Sequence, residues 1–254
     1  MTESTKLDSF EPLWRSPSAD LVLLQDVVHV WRADLNLPAW QTQQFATILS
    51  PDEQLRAERF YFERDRNHFI AGRGMLRAIL SRYLNLQPAQ LQFSYTSRGK
   101  PMLANPDTEG TVSFNLSHSN GLALYAIAPT PHIGIDLEYM RPMPEAEKLA
   151  KRFFSPREHA VISASPTDDQ KQEAFFHAWT CKEAYLKAIG DGLPGLEKVE
   201  VSLVPGEPAA LLSIQGDQAA ASRWSLYQLL AAPGYIAAVA VEGRGWHLDC
   251  WQFE

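Results

Sequence analysis

Two stretches of this chain carry residues whose types and spacing can do chemistry. In His132-Ile133-Gly134-Ile135-Asp136-Leu137-Glu138, the apolar Ile133, Ile135 and Leu137 alternate with Gly134, Asp136 and Glu138. That is the period-two pattern of a strand, so both carboxylates leave the same face. Two acids so placed repel unless something positive lies between them. A hard divalent cation such as Mg2+, held by a few carboxylates plus water and phosphate oxygens, fits that need. A solvent-facing acidic strand edge is the alternative. In the second stretch, Phe175 to Lys187, helical spacing puts Phe175, Ala178, Trp179, Leu186 and Ile189 on one apolar stripe. Glu183 and Lys187 flank it one turn apart, either as a helix-stabilising pair or as two groups pointing into a cleft. Glu183 would then be a third carboxylate for the cation. Lys182 falls near the centre of the stripe, where an ammonium must snorkel or find a partner acid.

These residues resemble a known family. Gly134-Ile135-Asp136-Leu137-Glu138, followed by Trp179-Thr180-Cys181-Lys182-Glu183-Ala184-Tyr185-Leu186-Lys187, is similar to the paired signature of 4'-phosphopantetheinyl transferases of the larger, Sfp-type branch. Gly99-Lys100-Pro101 and Phe114-Asn115-Leu116-Ser117-His118-Ser119 extend the resemblance in the expected order. It implies transfer of the phosphopantetheine arm of coenzyme A to a serine of an apo acyl or peptidyl carrier protein, with release of 3',5'-ADP. It also implies Mg2+ on Asp136, Glu138 and Glu183, Lys187 over the attacked phosphate or its leaving oxygen, and Glu183, directly or through a metal-bound water, as the candidate base. The implied coenzyme set is Arg56, Arg73, Arg77, Gly99, Lys100, Pro101, Ser117, His118, Asp136 and Lys187. The chain departs from its relatives at the helix start Ser50-Pro51, where Asp52, Glu53, Gln54 and Leu55 leave only Arg56 as a cation. Glu53 therefore drops out of the binding set, and Arg73 or Arg77 must make up the charge.

Other classes fit less well. A net charge of −7 over 254 residues argues against a nucleic-acid binder. Cys181 and Cys250 form no framework, which favours a reducing compartment, here the cytoplasm. The N-terminus lacks a signal-peptide pattern, and the apolar stretch near Leu229 to Val241 is broken by Pro233-Gly234, so no membrane span is expected. Ser117 and His118 do not sit in the G-x-S-x-G elbow of a hydrolase. A carrier-binding scaffold without activity, or a different Mg2+-dependent coenzyme A enzyme, stays open.

The elements that must position these groups recur. Ser50-Pro51-Asp52-Glu53 and Ser155-Pro156-Arg157-Glu158 both read as capped helix starts. Each follows a strand, at Val27 to Trp31 and Ile133 to Glu138, and precedes a long helix, at Arg64 to Tyr83 and from Ser165 or Asp168 to Gly190. Arg77-Ala78-Ile79 answers Lys187-Ala188-Ile189, and Arg73 answers Glu183. This predicts an α+β fold of two similar α/β lobes about a pseudo-two-fold, the active site in the cleft between them. The boundaries are 1–20 for an N-terminal arm, 21–128 for the coenzyme A nucleotide side and 129–254 for the metal and catalytic side. The strands after Gly190, Trp246 to Trp251 included, are expected to complete the second sheet. A chain holding both halves is expected to be a monomer.

Overall fold

The recurrence read from the sequence appears as a repeated order of elements in the computed structural model, which describes residues 12–18, 21–105, 108, 110–204 and 207–254. The first lobe runs β1 (Val27–Asp34), α1 (Ala39–Ala46), α2 (Pro51–Glu58), α3 (Glu63–Ser81), the hairpin β2 (Phe93–Tyr95) and β3 (Pro101–Leu103), then β4 (Ser113–Ser119) and β5 (Leu122–Ala128). The second runs β6 (Ile133–Tyr139), α4 (Ala146–Phe153), α5 (Pro156–Ala164), α6 (Asp168–Ile189), the pair β7 (Val199–Val201) and β8 (Leu211–Ile214), a short α7 (Gln218–Ala221), β9 (Trp224–Leu229) and β10 (Tyr235–Glu242). In the first lobe β5 lies antiparallel between β1 and β4; in the second β10 lies antiparallel between β6 and β9.

The layers follow from the side-chain patterns. One core packs α3 on the outer face of the first sheet, with Leu76, Ile79 and Leu80 against Trp31, Tyr125 and Ile127. A second joins the inner faces of the two sheets, with Val28, Val30, Leu124 and Ala126 against Ile133, Ile135, Leu137 and Val239. A third packs α6 on the outer face of the second sheet. The alternation in β6 thus sends Ile133, Ile135 and Leu137 toward the other sheet and leaves Gly134, Asp136 and Glu138 facing α6. Gly134 makes that packing close. A Cβ there would lie 2.0 Å from the Ala184 carbonyl oxygen and 2.4 Å from the Ala188 nitrogen, so only glycine lets the helix lie this near the strand. Gly74 does the same for α1 on α3, where a Cβ would meet Phe45 at 2.5 Å. Helix α6 starts on Thr167, whose hydroxyl accepts from the Gln170 N–H, and stops at Gly190 with φ 73°.

Several expectations need correction. The final strand, β11 (His247–Gln252), does not join the second sheet: it pairs parallel with β1 and extends the first. Only β6, β10 and β9 form the second sheet, while β7 and β8 stand apart. Of the N-terminal arm, 1–11 and 19–20 lie outside the described residues. Residues 12–18 run beside β11, where the Arg15 N–H bonds the Cys250 carbonyl at 3.1 Å and the Trp14 ring lies under Arg32. Ile189 is exposed rather than part of the buried stripe. Strand β5 had no counterpart in the sequence reading, because its near-continuous apolar run shows no alternation. Among the described residues no helix is long and apolar enough to cross a membrane.

Candidate active site

A cleft of about 420 Å³ opens where the two lobes meet. The first lobe contributes Arg56, His68, Phe69 and Arg73 from α2 and α3, the turn Arg98 to Pro101 from the hairpin, and Asn115 to His118 from β4. The second contributes Lys187, Gly190 and Asp191 at the end of α6.

The lobes are joined at this point by side chains rather than a backbone ladder. Asn115, Ser117 and Ser119 share one face of β4. The Asn115 Oδ1 accepts from the Ile135 N–H at 2.9 Å, Ser117 Oγ donates to Asp136 Oδ1 at 3.0 Å, and Ser119 Oγ donates to Glu138 Oε2 at 3.2 Å while accepting from the Tyr139 N–H. Sequence reasoning missed the roles of Asn115 and Ser119, although the period-two polar pattern of the strand carries that signal. Lys187 Nζ completes the cluster, 2.6 Å from Asp136 Oδ1 and 2.9 Å from Ser117 Oγ. Lys187 therefore pairs across to Asp136, not along its own helix.

Glu183 faces the same acids. Burial first, then Asp136 and Glu138, raise its carboxyl to about 7 against the lowering influence of Lys187. Burial and Asp136 also raise Glu138. Asp136 Oδ2 and Glu183 Oε1 are buried and have no hydrogen-bond partner among the described residues. Two orphaned carboxylate oxygens in a site where acids repel suit a hard divalent cation, which takes one or two carboxylates and fills its remaining positions with water or phosphate oxygens. Among the described residues no group of three or more acids, histidines or cysteines is placed to hold a metal ion, so Asp136, Glu138 and Glu183 do not form the three-acid site expected from the sequence; of these three, Asp136 and Glu183 alone carry the orphaned oxygens. The Lys187 ammonium provides the neutralising charge at Asp136, and Ser119 engages Glu138.

The basic residues divide. Arg73 sits at the cleft with Nε 3.4 Å from Glu53 Oε1, its guanidinium over the rings of Phe69, Phe93 and Tyr95, and Nη1 buried without a partner among the described residues. Arg56 lies over Phe69 on the same wall. His118 stands open to the cleft, held below the ordinary imidazole value by desolvation, then by Lys187 and His68. Arg77 does not reach the cleft. It is fully buried, with Nε 2.7 Å from Glu53 Oε2 and Nη1 bonded to the carbonyls of Pro88 and Leu91. Glu53, excluded from the binding set on sequence, is the acid that holds it. Lys100 lines the cleft, but its ammonium faces three carbonyl oxygens, not open space. Gly99 has φ 81°, the left-handed turn conformation that favours glycine, and Pro101 opens β3.

Comparison with known proteins adds a family. Residues 132–240 match the model described as "4'-phosphopantetheinyl transferase superfamily", and residues 37–130 match "4'-phosphopantetheinyl transferase, N-terminal". The chain is 50% identical over 240 residues to the 4'-phosphopantetheinyl transferase HetI of Nostoc sp., covering 94% of this chain and 98% of that one. It is 33% identical over 161 residues to the 4'-phosphopantetheinyl transferase Sfp of Bacillus subtilis, covering 63% and 68%. The human L-aminoadipate-semialdehyde dehydrogenase-phosphopantetheinyl transferase is 31% identical over 165 residues, covering 62% and 53%.

Proposed function

The chain belongs to the 4'-phosphopantetheinyl transferase superfamily, and from that premise we propose that its cleft takes coenzyme A and delivers the phosphopantetheine group to a carrier-protein serine. The serine oxygen forms a bond to the phosphorus nearest pantetheine, the pyrophosphate P–O bond breaks, and 3',5'-ADP leaves. Positioning and charge neutralisation dominate such a transfer. Mg2+ held by the free oxygens of Asp136 and Glu183, with Glu138 beside them, would supply Lewis-acid stabilisation of the pyrophosphate charge.

The residues of the chain take the other roles. Lys187, set by Asp136 and Ser117 at the mouth between the lobes, faces the phosphate under attack. Glu183, with a carboxyl titrating near neutral pH, accepts the serine proton. Arg73, Arg56 and His118 line the opposite wall and meet the remaining phosphates. Arg77 is left out of this set, and so is the Lys100 ammonium, which is turned to carbonyl oxygens although the residue lines the wall. The observation that carries the reading is the joining of Lys187, Asp136 and Ser117, drawn from both lobes, at one end of a cleft with a basic wall, with the Glu183 carboxyl close enough to feel Asp136 and Lys187.

Both walls come from one chain, which supports a monomer, and two buried free thiols suit the reducing cytoplasm. The test is intact mass analysis of apo carrier proteins from fatty-acid, polyketide and nonribosomal peptide systems after incubation with coenzyme A and Mg2+. One phosphopantetheine added per carrier, lost with EDTA, is expected. No addition to any carrier would leave a binding scaffold as the better reading.

A further inference from the structure

The hairpin of the first lobe reaches across to grip the end of α6. Lys100 Nζ donates to the carbonyl oxygens of Lys187 at 2.7 Å, Ala188 at 3.0 Å and Ile133 at 3.3 Å. The first two belong to the last turn of α6, the third to the first residue of β6. Three donors meet three acceptors, the full capacity of an ammonium. Among the described residues no carboxylate is a hydrogen-bond partner of this ammonium. Its neighbour Arg98 pairs with Asp191, just past the cap of the same helix. The last carbonyls of a helix lack intrahelical partners and carry its negative dipole end, so a cation there holds the helix terminus in place.

Resting on the transferase reading, we propose that Lys100 is a positioning residue: it clasps the end of α6 and the start of β6 across the lobe boundary, fixing Lys187 against Asp136, and does not bind a coenzyme phosphate through its ammonium. Lys187 hangs from the very residue whose carbonyl Lys100 holds. Asp136 lies on the strand whose first carbonyl it also holds. Moving either by about 1 Å is enough to lower the rate of a positioned reaction severely. The drop of the Lys100 pKa to about 8 by burial agrees with an ammonium shielded from water.

The test is Lys100→Cys, followed by alkylation with 2-bromoethylamine, which rebuilds an ammonium of nearly the same reach as a thioether. Cys181 and Cys250 are buried, with thiols pushed up by desolvation, so the new thiol reacts selectively. Lys100→Cys should lower kcat by about tenfold or more and speed amide exchange in residues 186–191, while the Kd for coenzyme A stays within about threefold; alkylation should restore both. Unchanged kcat would overturn the proposal. So would a coenzyme A Kd weakened by about tenfold with kcat retained, the signature of a direct phosphate contact. If the unmodified chain charges no carrier at all, the transferase reading fails instead; unchanged exchange in 186–191 would then sink the clasp independently.

Discussion

Helices α3 and α6 occupy the same place in lobes of the same strand order, yet they use their charges in opposite ways. Each lies beside a glutamate from a capped helix start. In the first lobe Glu53 accepts from its own Ser50 N–H at 3.0 Å and draws Arg77 into the core. In the second Glu158 accepts from the Ser155 and Val201 N–H groups and draws Lys182, 2.6 Å away, whose ammonium also reaches the Leu196 carbonyl. Arg77 answers Lys187 in the repeat. The first lobe thus uses that position for support. The second moves support to Lys182, more than a turn earlier, which leaves Lys187 at the cleft and Glu183 beside Asp136 and Glu138. A buried acid in each half takes a cation from its long helix, but from a different helical position in each.

Breaking the catalytic side should have the largest effect. Glu183→Gln is expected to lower carrier charging by about a thousandfold, since a metal-supporting carboxylate contributes several kcal/mol to the transition state. The same change should alter stability in the other direction. An acid whose folded pKa is raised stabilises the fold while protonated. That contribution is complete below the ordinary value of 4.5 and is lost as pH rises through about 7. Without divalent cation, the Tm of the unaltered chain should therefore fall relative to Glu183→Gln between those pH values. Parallel Tm curves would remove Glu183 from the acid cluster.

Breaking the support side comes next. Lys182→Met strands Glu158 in the core and should cost about 3–5 kcal/mol in urea unfolding. Arg77→Met should cost less, because Arg73 remains 3.4 Å from Glu53. Equal losses would mean that the first lobe has no reserve cation. Gly134→Ala forces a methyl into the backbone of α6 and should cost about 1–3 kcal/mol, with activity falling as Asp136 moves from Lys187; a variant of full stability and turnover would refute the close packing of β6 on α6. The smallest effect belongs to Ser119→Ala. Loss of one hydrogen bond to Glu138, about 1 kcal/mol, should raise the Mg2+ concentration for half-maximal activity several-fold and leave the coenzyme A KM unchanged.

What the sequence made legible was local. The alternation of Ile133 to Glu138, the Ser-Pro-x-Glu starts and the Gly190 stop all act within a few residues, and each element formed as read. The charge partners were not legible in the same way. Arg73 and Arg77 lie one turn apart on one helix and both reach Glu53; the carbonyls of Pro88 and Leu91 complete the buried site of Arg77, while Arg73 stays at the cleft. Lys100 has the look of a phosphate ligand in a Gly-Lys-Pro turn, but its partners are carbonyls far along the chain. Strand β11 carries the same pattern whichever sheet it joins, so assigning it to the second sheet by its place in the chain went wrong: it pairs with β1.

That strand has a consequence for synthesis. The edge of β1 can be covered only after residues 247–252 have left the ribosome, so the first half emerges long before its own sheet is complete. A chain halted near residue 240 would carry every group of the proposed reaction and still present an unpaired edge, open to any extended peptide nearby. Such stalled products should associate with one another or with holdase chaperones, and emergence of residues 247–252 would end that risk.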